Sequence, residues 1–264
     1  MNGAAVAGLL RCPLCGGRLE VDGAALRCGD GHSYDIARNG SATLAGGEGL
    51  PPGDTAEMLA ARDRLLGSGS FAPIVGALTA SVAGLDRPPG VIADCGAGTG
   101  WYLARVLDAV PGAVGLALDC SAPATRLAAR VHERAFAVRC DVWRGLPLGD
   151  RTADLVLCVF SPRAGAHFER VLTDGGVLIV VTPTPRHLGE LDLIGVEPAK
   201  RERLERTVAP LRTRSVESIE WEISLDAGVA RDLVAMGPNA HHDRDPGEAP
   251  RRVTASVELT VFGR

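Results

Sequence analysis

The chain has 264 residues, 46% of them hydrophobic and 23% charged, with a formal net charge of −4. That length suits one full α/β domain with a small module beside it, and no apolar run approaches the ~18 residues of a membrane span. The mildly acidic balance excludes a protein that attracts nucleic acid through its overall field, so any RNA contact must come from local basic surface.

The first chemical pattern is at the N-terminus. Cys12-Pro13-Leu14-Cys15 is followed, after a spacer, by Cys28-Gly29-Asp30-Gly31-His32. Two close pairs on separate knuckles offer zinc three thiolates and one imidazole, a closed tetrahedral set of Cys12, Cys15, Cys28 and His32 with no position left for water or substrate. The small residues Gly16, Gly17, Gly29 and Gly31 suit knuckle turns. A disulfide reading is poor, because Met1 to Leu10 is too short and lacks the basic start of a secretory leader. Residues 1–46 are therefore expected to form a zinc-binding module. So short a segment cannot bury enough core to fold without a staple.

Residues 47–85 read as a helical linker region. Pro51-Pro52-Gly53 punctuates it, Asp54 and Glu57 resemble a capping box, and a helix is expected to run to Leu66. A second helix is expected after Phe71-Ala72-Pro73. From residue 86 to 264 the pattern is that of a doubly wound sheet. Val91 to Ala93 is a short apolar strand that runs into Asp94-Cys95-Gly96-Ala97-Gly98-Thr99-Gly100, and a helical stretch follows from Trp101 to Val110. Gly96, Gly98 and Gly100 let backbone approach a nucleotide-like ligand closely. The first position of the fingerprint is an acid. A carboxylate there would repel a pyrophosphate but accept hydrogen bonds from an ammonium group, which points to S-adenosylmethionine (SAM).

Further strands are expected at Val114 to Leu118, Ala135 to Cys140, Ala153 to Phe160 and Gly176 to Val181, separated by helix-compatible segments. The first of these ends in Asp119, about 20 residues after Gly100, the spacing of a ribose-binding acid. The second ends in Asp141, placed to flank the adenine. The fourth leads into Thr184-Pro185-Arg186-His187-Leu188, and that strand end borders the ligand crevice. Two more strands, Val216 to Leu225 and Arg252 to Phe262, with a helix at Ala227 to Met236, complete a seven-stranded sheet.

Other residues are less informative. Cys95, Cys120, Cys140 and Cys158 lie in or after strands and read as small core residues of a reducing compartment. His132 and His167 read as surface or cap residues, and His241 and His242 as a solvated turn rather than a metal site. Between Glu197 and Arg214 stand Lys200, the only lysine, and Arg201, Arg203, Arg206, Arg212 and Arg214. Guanidinium suits bidentate phosphate contacts, but a solvated helix face explains the same run equally well.

The Cys3His module, the Pro-Gly-Asp-Thr-Ala-Glu-Met linker, Phe71 before a proline, the loop from Asp94 to Gly100 and Pro185-Arg186-His187-Leu188 occur here in one order. In that combination the chain resembles bacterial 23S rRNA (guanine-N1)-methyltransferases of the RlmA type, including tylosin- and mycinamicin-resistance members. The resemblance covers nearly the whole chain and is weakest from Gly195 to Glu220. It implies a Rossmann-like class I SAM-dependent methyltransferase fold with an N-terminal zinc ribbon, and 23S rRNA as substrate. By the resemblance a homodimer and macrolide resistance are open to this chain, while the lack of a membrane-length apolar run and the cysteines of a reducing compartment point to a cytoplasmic, non-membrane protein. Cofactor contacts fall on Phe71, Gly98, Thr99 and His187. The family commonly has tyrosine where Phe71 stands, so a hydroxyl contact is lost here, and Ser161-Pro162-Arg163 departs from the Pro-Cys of some members.

The implied reaction moves the sulfonium methyl of SAM to guanine N1, with the base turned out of its RNA stack because N1 lies on the pairing edge. Asp94, Asp141 and His187 are candidate proton acceptors by location alone. Two other classes fit the residues less well. A small-molecule methyltransferase has no need of a recognition module. A catalytically inactive zinc-bearing RNA-binding protein has no need of the intact glycine loop and acids.

Overall fold

The computed structural model describes residues 3–47, 49–161, 165, 167–191, 200–237 and 251–264. Pro162, Arg163, Glu197, His241 and His242 lie outside the described residues. The N-terminal part holds α1 (Ala4–Ala7), β1 (Leu19–Asp22), β2 (Ala25–Cys28), β3 (Ser33–Asp35) and β4 (Ala42–Thr43). Two helices follow, α2 (Ala56–Gly67) and α3 (Ala72–Ala83). The doubly wound part comprises β5 (Val91–Cys95), α4 (Trp101–Ala109), β6 (Val114–Asp119), α5 (Ala122–Ala128), β7 (Ala135–Arg139), β8 (Ala153–Val159), α6 (His167–Val171) and β9 (Leu172–Pro183). It closes with α7 (Lys200–Val208), β10 (Arg212–Ser224), α8 (Ala227–Ala235) and β11 (Arg252–Gly263).

All seven expected strands form, and an eighth joins them. The sheet order is β10-β11-β9-β8-β5-β6-β7-β4. The pairs from β9 through β4 are parallel, whereas β11 runs antiparallel to both β9 and β10. The extra strand comes from the N-terminal segment: Ala42 and Thr43 pair with Val138 and Arg139. A two-residue strand of Ala-Thr carries no alternation that a sequence could show.

Each inner strand is buried on both faces, and successive residues serve opposite layers. On β8, Leu155 and Leu157 pack with Leu65 of α2, Leu78 of α3, Leu107 of α4 and Leu233 of α8. Val156 and Cys158, one residue along, pack instead with Leu10, Leu19 and Leu26 of the N-terminal segment and with Phe168 and Leu204 of α6 and α7. The zinc-bearing segment thus covers the sheet face that helices would otherwise cover. Backbone contacts seal the join: Arg11 N–H donates to Pro147 C=O at 3.0 Å, and Gly149 N–H to Leu9 C=O at 2.8 Å.

The start of α2 differs from expectation. Thr55 is the N-cap, its hydroxyl accepting from Met58 N–H at 3.3 Å. Asp54 instead pairs with Arg62 at 2.5 Å. Among the described residues no single helix is long and apolar enough to cross a membrane. Helices α2 and α3 meet at a 76° bend, and their apolar faces lie against the sheet.

Candidate functional site

The ligand atoms of Cys12, Cys15, Cys28 and His32 all lie within 4.8 Å of one another. Cys15 and Cys28 Sγ are 3.6 Å apart, and His32 Nδ1 is 3.5 Å from Cys12 Sγ and 3.4 Å from Cys28 Sγ. Zn–S bonds of ~2.3 Å and Zn–N bonds of ~2.0 Å build a tetrahedron with edges of roughly 3.5–3.8 Å, so the donors fit zinc, with Nδ1 as the imidazole ligand. The knuckles are tight because Gly16 (φ +73°) and Gly31 (φ +84°) take left-handed backbone that a side chain would strain.

Tyr34 supplies a contact the spacing did not reveal. Its hydroxyl is 3.1 Å from Cys12 Sγ. Burial pushes the Cys12 thiol up, but hydrogen bonds from Tyr34 and nearby backbone outweigh it and bring the thiol down to about 6. The ligand is therefore biased towards the thiolate that a metal needs.

The second centre lies where β5 parts company with its neighbours. Strand β6 is on one side of β5 and β8 on the other, so the crevice at their carboxyl ends is a topological switch point. Gly96 (φ +74°), Gly98 (φ +55°) and Gly100 (φ +78°) carry the chain through the turn into α4. Gly96 N–H and Ala97 N–H both donate to Leu118 C=O, which clamps the loop onto the end of β6. Thr99 is buried at the base of α4.

Two of the expected acids flank this loop, Asp94 in β5 before it and Asp119 at the end of β6. Asp94 is only 2% exposed, and burial together with the Asp119 carboxylate pushes its pKa up to about 7. Asp119 accepts from Gly98 N–H at 2.9 Å and from Ser121 N–H at 2.8 Å. Its pKa is raised by burial, against the lowering effect of those two amides. A carboxylate has about four acceptor sites, so Asp119 can hold the loop and still receive a ligand hydroxyl. Asp141 lies beyond β7, accepting from Trp143 N–H at 2.9 Å, with Arg144 Nε at 3.4 Å. A cleft of about 700 Å³ opens between Asp141 and the zinc knuckle, bounded by Arg11, Cys12, Arg144, His167 and Arg170. No glycine-loop residue lines that cleft.

His187 and Phe71 come together across the crevice. Their ring centroids are 6.4 Å apart, and Phe160 at the end of β8 meets both, at 5.8 Å from His187 and 6.4 Å from Phe71. His187 Nδ1 accepts from Ser256 N–H at 3.1 Å. That bond places the imidazole proton on Nε2, so the ring offers a donor there. Behind Phe71 stands Trp221, whose Nε1–H donates to Ser70 C=O at 2.7 Å.

Sequence reasoning missed Phe160 and Trp221, and it missed Arg62. Arg62 joins Asp54 to Met236 C=O, the latter at 2.6 Å, and passes so close to the loop that a Cβ on Gly98 would lie 3.0 Å from its Nη1. No periodic signal marks an arginine that acts across helices. The basic run is partly committed elsewhere. Arg201 is ion-paired with Glu258 by two contacts, and upstream of the run Arg186 pairs with Glu220 at 3.1 Å.

A zinc-ribbon family model described as RlmA, N-terminal, matches residues 10–44. A Streptomyces fradiae protein named 23S rRNA (guanine(748)-N(1))-methyltransferase is 41% identical over 268 residues, spanning 96% of this chain and 95% of its own. A Micromonospora griseorubida protein assigned the same guanine-N1 activity is 46% identical over 276 residues, spanning 94% and 92%. Among solved structures, the [4+2]-cyclase SpnF superposes with a TM-score of 0.54 at 15% identity, covering 82% of this chain and 99% of its own. A Bacillus halodurans protein assigned as a methyltransferase gives 0.50 at 14% identity, covering 70% and 96%. One of these two structures is a cyclase, so the structural likeness speaks for the fold alone. The full-length relatives speak for more: this chain belongs to the RlmA-type 23S rRNA (guanine-N1)-methyltransferase family.

Proposed function

We propose that this protein transfers the methyl group of SAM to N1 of a guanine in 23S rRNA. The observation that carries the reading is the 41% identity to the Streptomyces fradiae relative over 96% of this chain, because that span takes in metal centre and crevice together. In this reading residues 1–46 are the zinc-binding RNA-recognition module, 47–85 the helical linker and 86–264 the methyltransferase domain. The site of action is the cytoplasm.

Bound SAM would supply a methyl group on a positively charged sulfur: guanine N1 would form the new N–CH3 bond as the S–CH3 bond breaks, leaving neutral S-adenosylhomocysteine, and the N1 proton would pass to a base or a water chain. The chain's task is to bind, orient and exclude water. Asp94 receives the ammonium group of the methionine portion as an ionised carboxylate. Asp119 receives a ribose hydroxyl while its amide contacts hold Gly98, and Asp141 flanks the adenine. Gly96, Gly98, Thr99 and Gly100 give close backbone approach along the cofactor. Phe71 and His187 border the methionine end. His187 Nε2–H serves there as a hydrogen-bond donor, not as the base that location alone suggested. In-line positioning of two bound reactants supplies much of the rate. The zinc module, seated beside the cleft at Asp141, holds the RNA hairpin over the cofactor mouth.

The test is methyl transfer from labelled SAM to 23S rRNA, followed by primer extension, since an N1-methylated guanine cannot pair and stops the polymerase. A stop at one guanine is expected, sought first at the position named for the Streptomyces fradiae relative, together with a raised inhibitory macrolide concentration in a susceptible host. Label appearing only in a metabolite extract would favour the small-molecule reading. No transfer to either would favour an inactive RNA-binding protein.

A further inference from the structure

Phe160 stands out on three independent counts. Its backbone is left-handed at φ +52°, a conformation that a bulky residue adopts only when its surroundings impose it. The residue is 41% exposed, although the other aromatic residues around it are buried or half-buried. It stands at the carboxyl end of β8, adjacent to β5 and hence beside the glycine loop.

The strain is held from both sides. Phe160 N–H donates to Val181 C=O at 3.1 Å, and the next residue, Ser161, donates its hydroxyl to Cys95 C=O at the end of β5. Among the described residues only Arg151, Phe160 and Leu188 are left-handed without being glycine. Phe160 and Leu188 lie at this one site, since Leu188 follows His187 directly. Backbone strain concentrated at one crevice signals a shape kept for its use.

That shape is a ledge of rings. Phe160 meets His187 in a tilted contact, with an interplanar angle of 33° and a centroid separation of 5.8 Å. Phe71 meets Phe160 edge-on at 90°, and Trp221 meets Phe71 edge-on at 85°, so buried aromatic mass backs the exposed ring. A ring held rigid from behind and open in front, at the switch point of a doubly wound sheet, suits a flat ligand that stacks.

We propose that Phe160 is the stacking platform for the target guanine, presenting its face to the extruded base beside the methyl donor. The inference rests on the reading that RNA guanine is the substrate. An unstacked base needs a replacement partner for its π-face, and aromatic side chains supply one.

The test uses the full-length zinc-loaded protein and four variants, Phe160→Ala, Phe160→Leu, Phe160→Tyr and Phe160→Gly. Each is assayed for kcat/KM on 23S rRNA, SAM affinity by calorimetry, and Tm. Phe160→Ala and Phe160→Leu are expected to lose roughly 10- to 100-fold in kcat/KM, the scale of one base–aromatic stack, with SAM affinity unchanged. Phe160→Tyr keeps the ring and should stay within a few-fold of wild type. Phe160→Gly relieves the left-handed strain, so its Tm should hold or rise while its activity falls. A ring needed only for packing would show the reverse, with Tm falling in the glycine variant and the leucine variant active. Normal methylation by Phe160→Ala overturns the proposal, and so does a matching loss of SAM affinity, which would make Phe160 a cofactor wall. A wild-type protein that does not methylate 23S rRNA fails the functional reading instead, before any variant is compared.

Discussion

The metal centre and the cofactor crevice are built by opposite strategies. All four metal donors come from one stretch between Cys12 and His32, held by knuckle turns whose geometry is local. The crevice draws Asp94 from β5, Asp119 from β6, Phe160 from β8 and His187 from beyond β9, with Phe71 and Arg62 from the helices in front of the sheet. A local site depends on spacing and on a metal. A distributed site depends on the whole sheet being assembled in the right order. Yet the two are not independent, because Leu10, Leu19 and Leu26 beside the zinc donors share a core with Val156 and Cys158 of β8.

The largest expected effect tests that shared core. Cys12→Ser with Cys15→Ser removes two of four ligands, and metal analysis should show loss of zinc. Structural zinc contributes many kcal/mol to folding where no preformed site exists. With ~2–4 °C of Tm per kcal/mol in a chain of this size, melting should fall by roughly 10 °C or more in one cooperative transition. Two separated transitions, with the upper one unchanged and still raised by SAM, would instead make the zinc segment an autonomous module.

Asp94 should give the next largest effect, and one confined to the crevice. Its pKa of about 7 means that the folded protein holds a proton which the unfolded chain releases near 3.8. The unfolded state therefore binds fewer protons between those values, so the free protein loses stability as pH rises from about 4 to 7. Binding of an ammonium group selects the ionised carboxylate, so SAM affinity should strengthen with pH up to about 7, by at most about tenfold per unit. Calorimetry across pH 5.5 to 7 checks the sign. Asp94→Asn should flatten the profile and weaken binding by about 1.5–3 kcal/mol, the range for a hydrogen bond to a charged group. Zinc content should stay the same.

Asp119→Ala should cost SAM affinity roughly 1–3 kcal/mol, with part of the loss arising from the released Gly98 amide. Unchanged affinity would remove Asp119 from the site. The smallest effect concerns RNA. Arg206→Ala should lower the salt slope of rRNA binding by about one unit if its guanidinium meets a phosphate. Arg201→Ala should change it less, because Arg201 already neutralises Glu258. Equal slopes in both variants and wild type would reduce α7 to a solvated helix.

Much of this was legible in the residues alone. The metal donors, the glycine loop, Asp119 at its distance and every strand from Val91 to Phe262 follow from spacing and period, because each depends on short-range geometry. Other features were not, and three of them show why. Residues Ala42 and Thr43 become a strand only because β7 offers an open edge. Arg62 carries no motif, and its meaning comes from Asp54, Met236 and Gly98 meeting around it. Phe160 reads in the sequence as the last apolar residue of a buried strand, and its left-handed backbone turns it outward.

The sequence by itself determined which chemistry is present: four zinc donors at knuckle spacing, a glycine turn with an acid in place of the first glycine, and a second acid one strand on. Those are contacts between near neighbours, whose geometry the backbone's few allowed conformations already restrict. Only the tertiary structure decided which face of the sheet the zinc segment covers, which rings meet across the crevice, and which tautomer His187 holds against Ser256. Those pairings join residues far apart in the chain, and they follow from strand order and two-sided burial, which no local pattern encodes.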